Sequence, residues 1–274
     1  MTTSPAPLSQ YSDNPHLRLR CRSQIVIPAR LASTRLPEKL MLRETGKSVL
    51  QHTYEAACQA ERPLGITVAV DNPRLEETVS GFGGSAVMTD PALPSGTDRV
   101  AVVAAAMPDI DVFVNVQGDE PEIPAAAIDL VIELLENHPQ ACVATLAAPI
   151  RDRQRLEDPA CVKVVCDGRG RAMYFSRSPI PHARSWEDCI LQQTPPVFLQ
   201  HIGIYAYRRD FLLRVNQLPV SSLEKVEKLE QLRFLEAGAT IMIGQIQHAF
   251  KGIDTPNDYC DFVRRQMSRH SKAS

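Results

Sequence analysis

The sequence predicts an α/β fold with a mostly parallel sheet, because short apolar runs alternate with segments of helical periodicity. This alternation is typical of parallel strands that are joined by right-handed helical crossovers. The predicted strands of this part occupy residues 24–27, 66–70, 85–88, 111–116 and 142–149. The predicted helices occupy residues 49–60, 74–82, 124–137 and 152–157, and an Ala/Val-rich helix ends near Met107.

The last third of the chain predicts antiparallel pairing. Residues 162–174 read as a hairpin with a Gly-Arg-Gly turn, and residues 197–207 read as a strand. We therefore predict a smaller antiparallel, substrate-binding layer at about residues 160–210, appended to the wound sheet.

The remaining elements complete a single predicted domain at residues 23–270. They are a helix at residues 221–237, a strand at residues 239–247 and a terminal helix that ends at about residue 267. Residues 1–22 are rich in Ser, Pro and Thr and have no apolar period, so they are predicted to be a disordered extension. The polar segment at residues 182–196 is a candidate lid.

Composition and charge argue against several classes of function. The formal net charge of −2 over 274 residues disfavours general nucleic-acid binding, for which a basic excess is expected. No stretch approaches the roughly 20 apolar residues of a membrane span, and the N-terminus lacks a secretory pattern. The seven cysteines are scattered without a C-x-x-C pair, which fits a reducing compartment. We expect a cytoplasmic protein with neither a membrane nor a nucleic-acid partner.

A cationic loop follows the first strand and contains Arg30, Arg35 and Lys39. Small residues, beginning with Ala29, lie among these cations and let backbone N–H groups approach an anion. Ligands of open α/β sheets bind beyond the carboxyl ends of the strands, so a phosphate site is one interpretation. A solvated basic loop is the other, and charge alone does not separate them. The segment is not a Walker motif, since Met41 occupies the position of its first glycine.

Two aspartates, Asp119 and Asp254, each lie after a turn and ahead of a proline that precedes a helix. A carboxylate at the end of a central strand is well placed to hold a magnesium ion, which typically takes one or two protein carboxylates plus substrate oxygens. The alternative is that each aspartate caps a turn or the following helix. Residue type and position favour neither interpretation for Asp119.

The segment from Ser95 to Arg99 begins the Ala/Val-rich helix. Ser95 or Thr97 can cap this helix, while Gly96 allows a flat ligand to approach the backbone. Arg99 falls in the first turn, where a cation is unfavourable to the helix dipole, and this indicates another role.

The predicted strand at residues 197–207 places His201, Tyr205 and Tyr207 on one face. These side chains suit a cavity for a polar ligand, although composition alone favours an ordinary edge strand. Glu230 and Gln231 lie in the helix predicted after it, where charged residues usually form a solvated face.

Five segments in order resemble the cytidylyltransferases that activate 3-deoxy-manno-octulosonate (Kdo). They are IPARLASTRLPEKL, SGTDR, VNVQGDEP, HIGIYAY and GIDTP, and the resemblance extends from about residue 24 to residue 267. The chain departs from the family pattern at Glu38, where the family usually has Gly, and at Leu40, where it often has Pro. Both departures flank Lys39, so they bear on how that lysine is presented.

The resemblance implies a Rossmann-like nucleotidyltransferase sheet and a set of site residues. The residues implied to bind the nucleotide are Ala29, Arg30, Arg35, Lys39, Ser95, Gly96 and Arg99. The implied metal ligands are Asp119 and Asp254, and these two act in catalysis together with Arg30 and Lys39. The residues expected to bind the sugar are Gln117, Arg177, His201, Tyr205, Glu230 and Gln231, with Arg177 meeting the sugar carboxylate as a forked donor.

The resemblance also implies the reaction, in which CTP and Kdo give CMP-Kdo and pyrophosphate for lipopolysaccharide-type glycans. It further implies Mg²⁺ as cofactor and a homodimer, with the antiparallel layer as a candidate interface. No residue stands out as a general base. Transfer to amino-Kdo or to a sialic acid stays open, as does a non-catalytic nucleotide-binding protein on the same fold.

Overall fold

The computed structural model describes residues 20–273. The predicted disordered extension at residues 1–22 therefore falls almost wholly outside the described residues. Within the described part of that range, the backbone N–H of Arg22 donates to Asp111 Oδ2 at 2.8 Å. The chain is thus bound to the domain just before the first strand begins.

One sheet of nine strands forms the centre of the described chain. Its strands are β1 Ser23–Ala29, β2 Ile66–Val70, β3 Ala86–Met88, β4 Val112–Asn115, β5 Val143–Pro149, β6 Lys163–Cys166, β7 Ala172–Ser176, β8 Leu199–Arg208 and β9 Ile241–Gln245. Seven strands follow one another in the order β3-β2-β1-β4-β8-β5-β9, and β8 alone among these seven runs against the others. The predicted mostly parallel α/β sheet is confirmed.

Strand β8 lies at the centre of this sheet, between β4 and β5. The sequence allowed an edge strand in a layer appended to the sheet, and that placement is wrong. The position of β8 follows from its residues, because Ile204 and Ala206 are buried on one face while Tyr207 is buried on the other. The predicted hairpin forms from β6 and β7 and continues the same sheet, since Lys163 of β6 pairs with Gln200 of β8.

Nine helices connect the strands within the described residues. They are α1 Val49–Ala57, α2 Pro73–Gly81, α3 Gly96–Ala106, α4 Ala125–Asn137, α5 Arg153–Glu157, α6 Arg209–Leu212, α7 Ser222–Glu227, α8 Gln231–Glu236 and α9 Pro256–Ala273. Six of them begin at a side chain that accepts a backbone N–H, and these caps are Ser48, Asn72, Ser95, Asp152, Ser221 and Thr255. Over residues 20–273, no helix combines the length and the apolar character that crossing a bilayer requires.

The helices bury both faces of the sheet. Leu50 of α1, Ile128 of α4 and Phe262 of α9 pack on one face. Val103 of α3 and Phe211 of α6 pack on the other. Burying each of these large side chains contributes about 1.5–3 kcal/mol, so the sheet is a rigid support for the loops at its carboxyl edge.

The helix predicted at residues 221–237 is two helices, α7 and α8. The chain turns between them because Lys228 adopts a left-handed conformation with φ of 55°. The Glu227 carboxylate, at the end of α7, accepts hydrogen bonds from Ser176 Oγ at 2.6 Å and from the Arg177 backbone N–H at 2.9 Å. These bonds hold α7 to the hairpin, and the turn that follows places Leu229 in the core.

Candidate active site

A cleft with a volume of about 460 Å³ opens at the carboxyl ends of β1 and β4, within the size range of small-molecule sites. Four segments of the chain contribute the residues that were predicted to bind nucleotide, metal or sugar. The predicted residues that line the cleft are Arg30, Arg35, Lys39, Ser95, Gly96, Gln117, Asp119 and Asp254. The fold therefore brings together residues that are more than 200 positions apart in the chain.

The cationic loop forms one wall of the cleft. Ala29 is fully buried at the end of β1, and Arg30 is fixed by a hydrogen bond of 3.0 Å from its Nη2 to the carbonyl oxygen of Leu93. Arg35 keeps 67% of its side-chain surface exposed while its Nη2 lies 3.0 Å from Asp254 Oδ1. The loop thus presents one guanidinium bonded to the backbone and one exposed guanidinium to an incoming anion.

Glu38 occupies a left-handed turn immediately before Lys39, with φ of 48°. Glycine adopts this conformation without steric cost, which agrees with the glycine that the family pattern usually has at this position. The Glu38 carboxylate accepts two hydrogen bonds from Arg74, at 2.6 and 2.8 Å, and these bonds lower its pKa. The side chain therefore points toward α2 and leaves Lys39 directed at the cleft.

The Lys39 ammonium lies between the two predicted metal ligands. It is hydrogen-bonded to Asp119 Oδ2, to the carbonyl oxygen of Ile253 at 2.9 Å and to Asp254 Oδ1 at 3.2 Å. A backbone hydrogen bond of 2.8 Å from Ile253 N to Asp119 O joins the same two loops. Two carboxylates from distant parts of the chain therefore converge on a single positive charge.

Neither aspartate caps a helix. Pro124 precedes α4 without a side-chain cap, and Thr255 and Asp258 form the reciprocal cap of α9, through bonds of 3.2 Å to Thr255 Oγ1 and 2.9 Å from Thr255 N. The carboxylates of Asp119 and Asp254 are consequently available to cations. The capping alternative for these residues does not agree with the structure.

The aspartate pair suits a magnesium ion, which takes one or two protein carboxylates and completes its octahedron with phosphate oxygens and water. Within residues 20–273, no cluster of three or more acidic, His or Cys side chains forms a complete metal site. The remaining ligands would have to come from the substrate. Such an open site is what a metal shared with a bound triphosphate requires.

Glu120 is a third carboxyl group beside this pair, and sequence analysis assigned no role to it. Its Oε2 is buried without a hydrogen-bond partner. Burial, followed by the charges of Asp119 and Asp254, raises its pKa to about 8. Its position directly after Asp119 was the one sequence signal that could have identified it.

The nucleotide loop before α3 is fixed by a capping box, in which the Ser95 backbone N–H donates to Asp98 Oδ2 at 2.9 Å and the Asp98 N–H donates to Ser95 Oγ at 3.1 Å. Gly96 packs so closely on β1 that a Cβ atom there would lie 3.2 Å from Pro28 Cγ. Ser95 therefore caps α3 and also lines the cleft.

Arg99 was predicted to bind the nucleotide, but its side chain is completely buried beneath the loop. It donates to Thr89 Oγ1 and, at 3.1 Å, to the carbonyl oxygen of Asp90. Burial lowers its pKa, and the charge of Arg30 lowers it further. A direct contact between Arg99 and a ligand in the cleft does not fit this position, because the guanidinium points into the protein.

The predicted sugar-binding face of β8 forms a row of rings. The His201 ring lies 5.1 Å from that of Phe175 and 5.4 Å from that of Tyr205, and Tyr205 stacks on Tyr207 at 5.6 Å. His201 Nε2 lies 3.0 Å from Thr145 Oγ1. Burial lowers the pKa of His201 to about 3 and raises that of Tyr205, so both rings are neutral near pH 7.

Glu230 and Gln231 lie near α3. The Glu230 Oε2 accepts a hydrogen bond of 2.6 Å from Thr97 Oγ1, and burial raises the pKa of this carboxyl group. The Gln231 side chain is buried beside it. Thr97 therefore connects the nucleotide loop to the predicted sugar residues, a role that sequence analysis had treated only as a possible helix cap.

Arg177 does not reach the cleft. Its Nε donates to the carbonyl oxygen of Glu227 at 2.7 Å and its Nη1 to that of Pro159 at 3.0 Å. Its own carbonyl oxygen accepts a hydrogen bond from the fully buried Lys163. The Arg177 guanidinium is thus bonded to backbone carbonyl oxygens. In this position it does not make the contact expected with a sugar carboxylate.

Comparison with known proteins assigns the chain to a family. The sequence profile described as cytidylyltransferase matches residues 24–241. The chain belongs to the cytidylyltransferase family. As a member, it is a nucleotidyltransferase enzyme.

Several relatives resemble this cytidylyltransferase over most of their length. A 3-deoxy-manno-octulosonate cytidylyltransferase from Rhodopirellula baltica is 51% identical over 90% of this chain and 100% of its own. An 8-amino-3,8-dideoxy-manno-octulosonate cytidylyltransferase from Shewanella woodyi is 43% identical over 85% of this chain and 94% of its own. The structure of a CMP:2-keto-3-deoxy-manno-octonic acid synthetase complexed with CTP has a TM-score of 0.83 at 40% identity, covering 91% of this chain and 99% of its own.

The neutral imidazole of His201 predicts a dependence of stability on pH. Its pKa in the folded protein, about 3, lies below the unfolded value of 6.5, so the unfolded chain binds the proton first as pH falls. Between pH 7 and 5 this single group should remove about 2 kcal/mol from the free energy of unfolding. We expect His201→Gln to abolish that part of the loss in denaturant unfolding at the two pH values.

The exposed His182 provides the control for this experiment. His182→Gln should lose stability between pH 7 and 5 as the unmodified protein does. An identical loss in His201→Gln and in the unmodified protein would show that His201 is not held neutral by burial.

Proposed function

We propose that this cytidylyltransferase transfers the cytidylyl group of CTP to Kdo, giving CMP-Kdo and pyrophosphate. The observation that carries the proposal is the convergence of Asp119 and Asp254 on one cation, opposite Arg30 and Arg35, in a cleft of about 460 Å³. Two acids and a cluster of guanidinium and ammonium groups are what a metal-bound triphosphate requires. The names of the relatives and the CTP complex of the similar structure support the choice of substrates.

In this proposal the anomeric hydroxyl of the sugar attacks the α-phosphate in line, and pyrophosphate leaves. Arg30, Arg35 and Lys39 bind the triphosphate and stabilise the negative charge that moves onto the leaving group. A magnesium ion held by Asp119 and Asp254 would neutralise phosphate charge and lower the pKa of the attacking hydroxyl. Lys39 must exchange its carboxylate partners for phosphate oxygens when the nucleotide binds.

The sugar is expected to lie between Gln117, which lines the cleft, and the rings of His201 and Tyr205 on β8. The β4 and β8 strands are adjacent, and Asn115, two residues before Gln117, is paired with Tyr205. A neutral His201 can exchange hydrogen bonds with sugar hydroxyls without adding charge. Glu230 adds a half-buried acceptor on the side of the nucleotide loop.

A second candidate acceptor is the 8-amino analogue of Kdo. It is favoured by the relative from Shewanella woodyi, which is named for that substrate and is 43% identical to this chain. The 3-deoxy-manno-octulosonate enzyme of Rhodopirellula baltica is more similar, at 51%, so Kdo is the first choice. The presence of both aspartates speaks against a non-catalytic nucleotide-binding protein.

We also propose that the enzyme works as a homodimer in the cytoplasm, where CTP is available. The hairpin, α7 and the segment just before α7 expose apolar side chains that suit an interface between two copies. Met173 is 64% exposed, Val220 49% and Val226 82%. Burying such side chains against a second chain would remove this apolar surface from water.

The choice of substrate is tested by a screen for pyrophosphate release. CTP, UTP, ATP and GTP are each combined with Kdo, 8-amino-Kdo and a sialic acid. We expect release with CTP and Kdo, because the relative that is 51% identical to this chain is named for this sugar. Release that is faster with 8-amino-Kdo would transfer the assignment to that analogue. If none of the three acceptors supports release, the enzyme assignment would be rejected.

The role of the aspartates is tested by Asp119→Asn and Asp254→Asn, which keep the size of the side chain and remove its charge. Each should lower kcat for pyrophosphate release by about 10²–10³-fold, the size of effect seen when one electrostatic contact to a transition state is removed. Asp261→Asn is the matched control, because Asp261 is an exposed aspartate of α9 that pairs only with Arg264 among the bonds described. Turnover equal to that of the control at saturating Mg²⁺ would reject the assignment.

A further inference from the structure

Arg99 is the centre of a buried network beneath the cleft. Its side chain is fully buried, and its Nη2 lies 3.6 Å from Asp71 Oδ2, which follows β2. A buried guanidinium is costly unless it is paired, and removing one partner of such a pair leaves an uncompensated charge. The network therefore needs a reason beyond packing, and its outer contacts supply one.

One arm of the network leads to the cationic loop through Asp71. The other carboxylate oxygen of Asp71, Oδ1, accepts the backbone N–H of Leu31 at 2.9 Å. Leu31 follows Arg30 directly, so this bond fixes the chain at the first cation of the loop. The side chain of Asp71 is only 12% exposed, which strengthens a charge-assisted bond of this kind.

The second arm leads to Arg30 by another route. Arg99 donates to Thr89 Oγ1 and to the carbonyl oxygen of Asp90 in the segment after β3. The same segment continues to Leu93, whose carbonyl oxygen accepts the hydrogen bond from Arg30 Nη2 at 3.0 Å. The loops that follow β1, β2 and β3 are thus joined through one buried arginine.

We propose that Asp71 and Arg99 are positioning residues that fix the cationic loop for the triphosphate. Neither side chain touches the substrate. Asp71 holds the backbone at Leu31, and Arg99 holds both Asp71 and the segment that anchors Arg30. The pair determines the geometry of the phosphate contacts, and it determines nucleotide affinity for that reason.

This inference rests on the proposed function, because it assigns the loop to CTP. The test compares Asp71→Ala with Glu136→Ala in the full chain. Glu136 is a close match, since its carboxylate also accepts one backbone N–H, from Cys21 at 3.0 Å, and also pairs with one arginine, Arg62, at 2.6 Å. The Glu136 side chain is 10% exposed, and its contacts lie near the amino end of β1, away from the cleft.

Three measurements are made on both variants: CTP affinity by calorimetry, the KM for each substrate with kcat, and hydrogen exchange in peptides spanning residues 30–39. Displacing a binding group by about 1 Å can cost about a hundredfold, so Asp71→Ala should weaken CTP binding by about 10- to 100-fold. Its KM for CTP should rise while its KM for the sugar stays unchanged. Hydrogen exchange at residues 30–39 should accelerate in Asp71→Ala and not in Glu136→Ala.

Asp71→Asn is the second variant and decides the question if Asp71→Ala does not fold. Asparagine keeps an acceptor for Leu31 N and removes the charge that Arg99 requires, so CTP affinity should still fall, by a smaller factor. Normal affinity in a folded Asp71 variant, or an equal loss in Glu136→Ala, would overturn the positioning role. Failure of the unmodified protein to bind CTP would overturn both this inference and the proposed function. If the unmodified protein binds CTP, a negative result in the variants overturns the inference alone.

Discussion

The Lys39 ammonium, shared by Asp119 and Asp254, is the contact on which the candidate active site depends. It joins the loop after β1 to the end of β4 and to the segment before α9, so three distant parts of the sequence meet at one charge. Two carboxylates that contact the same ammonium group would repel each other if that cation did not lie between them. Lys39 therefore holds the two acids close together, which is the arrangement that the proposed metal-bound triphosphate requires.

A second requirement is that the backbone of the cationic loop, which bears Arg30 and Arg35, is held in place. The buried pair of Asp71 and Arg99 meets it by tying the backbone of Leu31 to the segments after β2 and β3. The exposed side chain of Arg35 is then borne by a backbone that is held in place. Binding energy is thus not lost on ordering the loop, which is the advantage of a preorganised site.

The sequence predicted the elements that depend on local pattern. The bounds of β2 were predicted as observed, and the helix caps at Ser95 and Ser221 follow local rules. Features that depend on distant pairing were not accessible: β8 became central by pairing with both β4 and β5. Arg99 was assigned to the ligand from its place in the first turn of α3 and from the family resemblance, and its pairing with Asp71, 28 positions away, was not visible in the sequence. The break at Lys228 follows Glu227, whose carboxylate is bonded to the hairpin. Motif resemblance located the aspartates, and only the fold shows that they share a cation.

The most direct test of the account is a titration of Mn²⁺, as a spectroscopic substitute for Mg²⁺, in the presence of CTP, with free metal followed by electron paramagnetic resonance. If Asp119 and Asp254 share one ion, each of Asp119→Asn and Asp254→Asn should weaken Mn²⁺ binding by at least about tenfold, because altered metal-site residues commonly cost that much or more. Asp261→Asn should bind Mn²⁺ as the unmodified protein does. Unchanged affinity in either active-site variant would contradict a shared metal and, with it, the proposed mechanism.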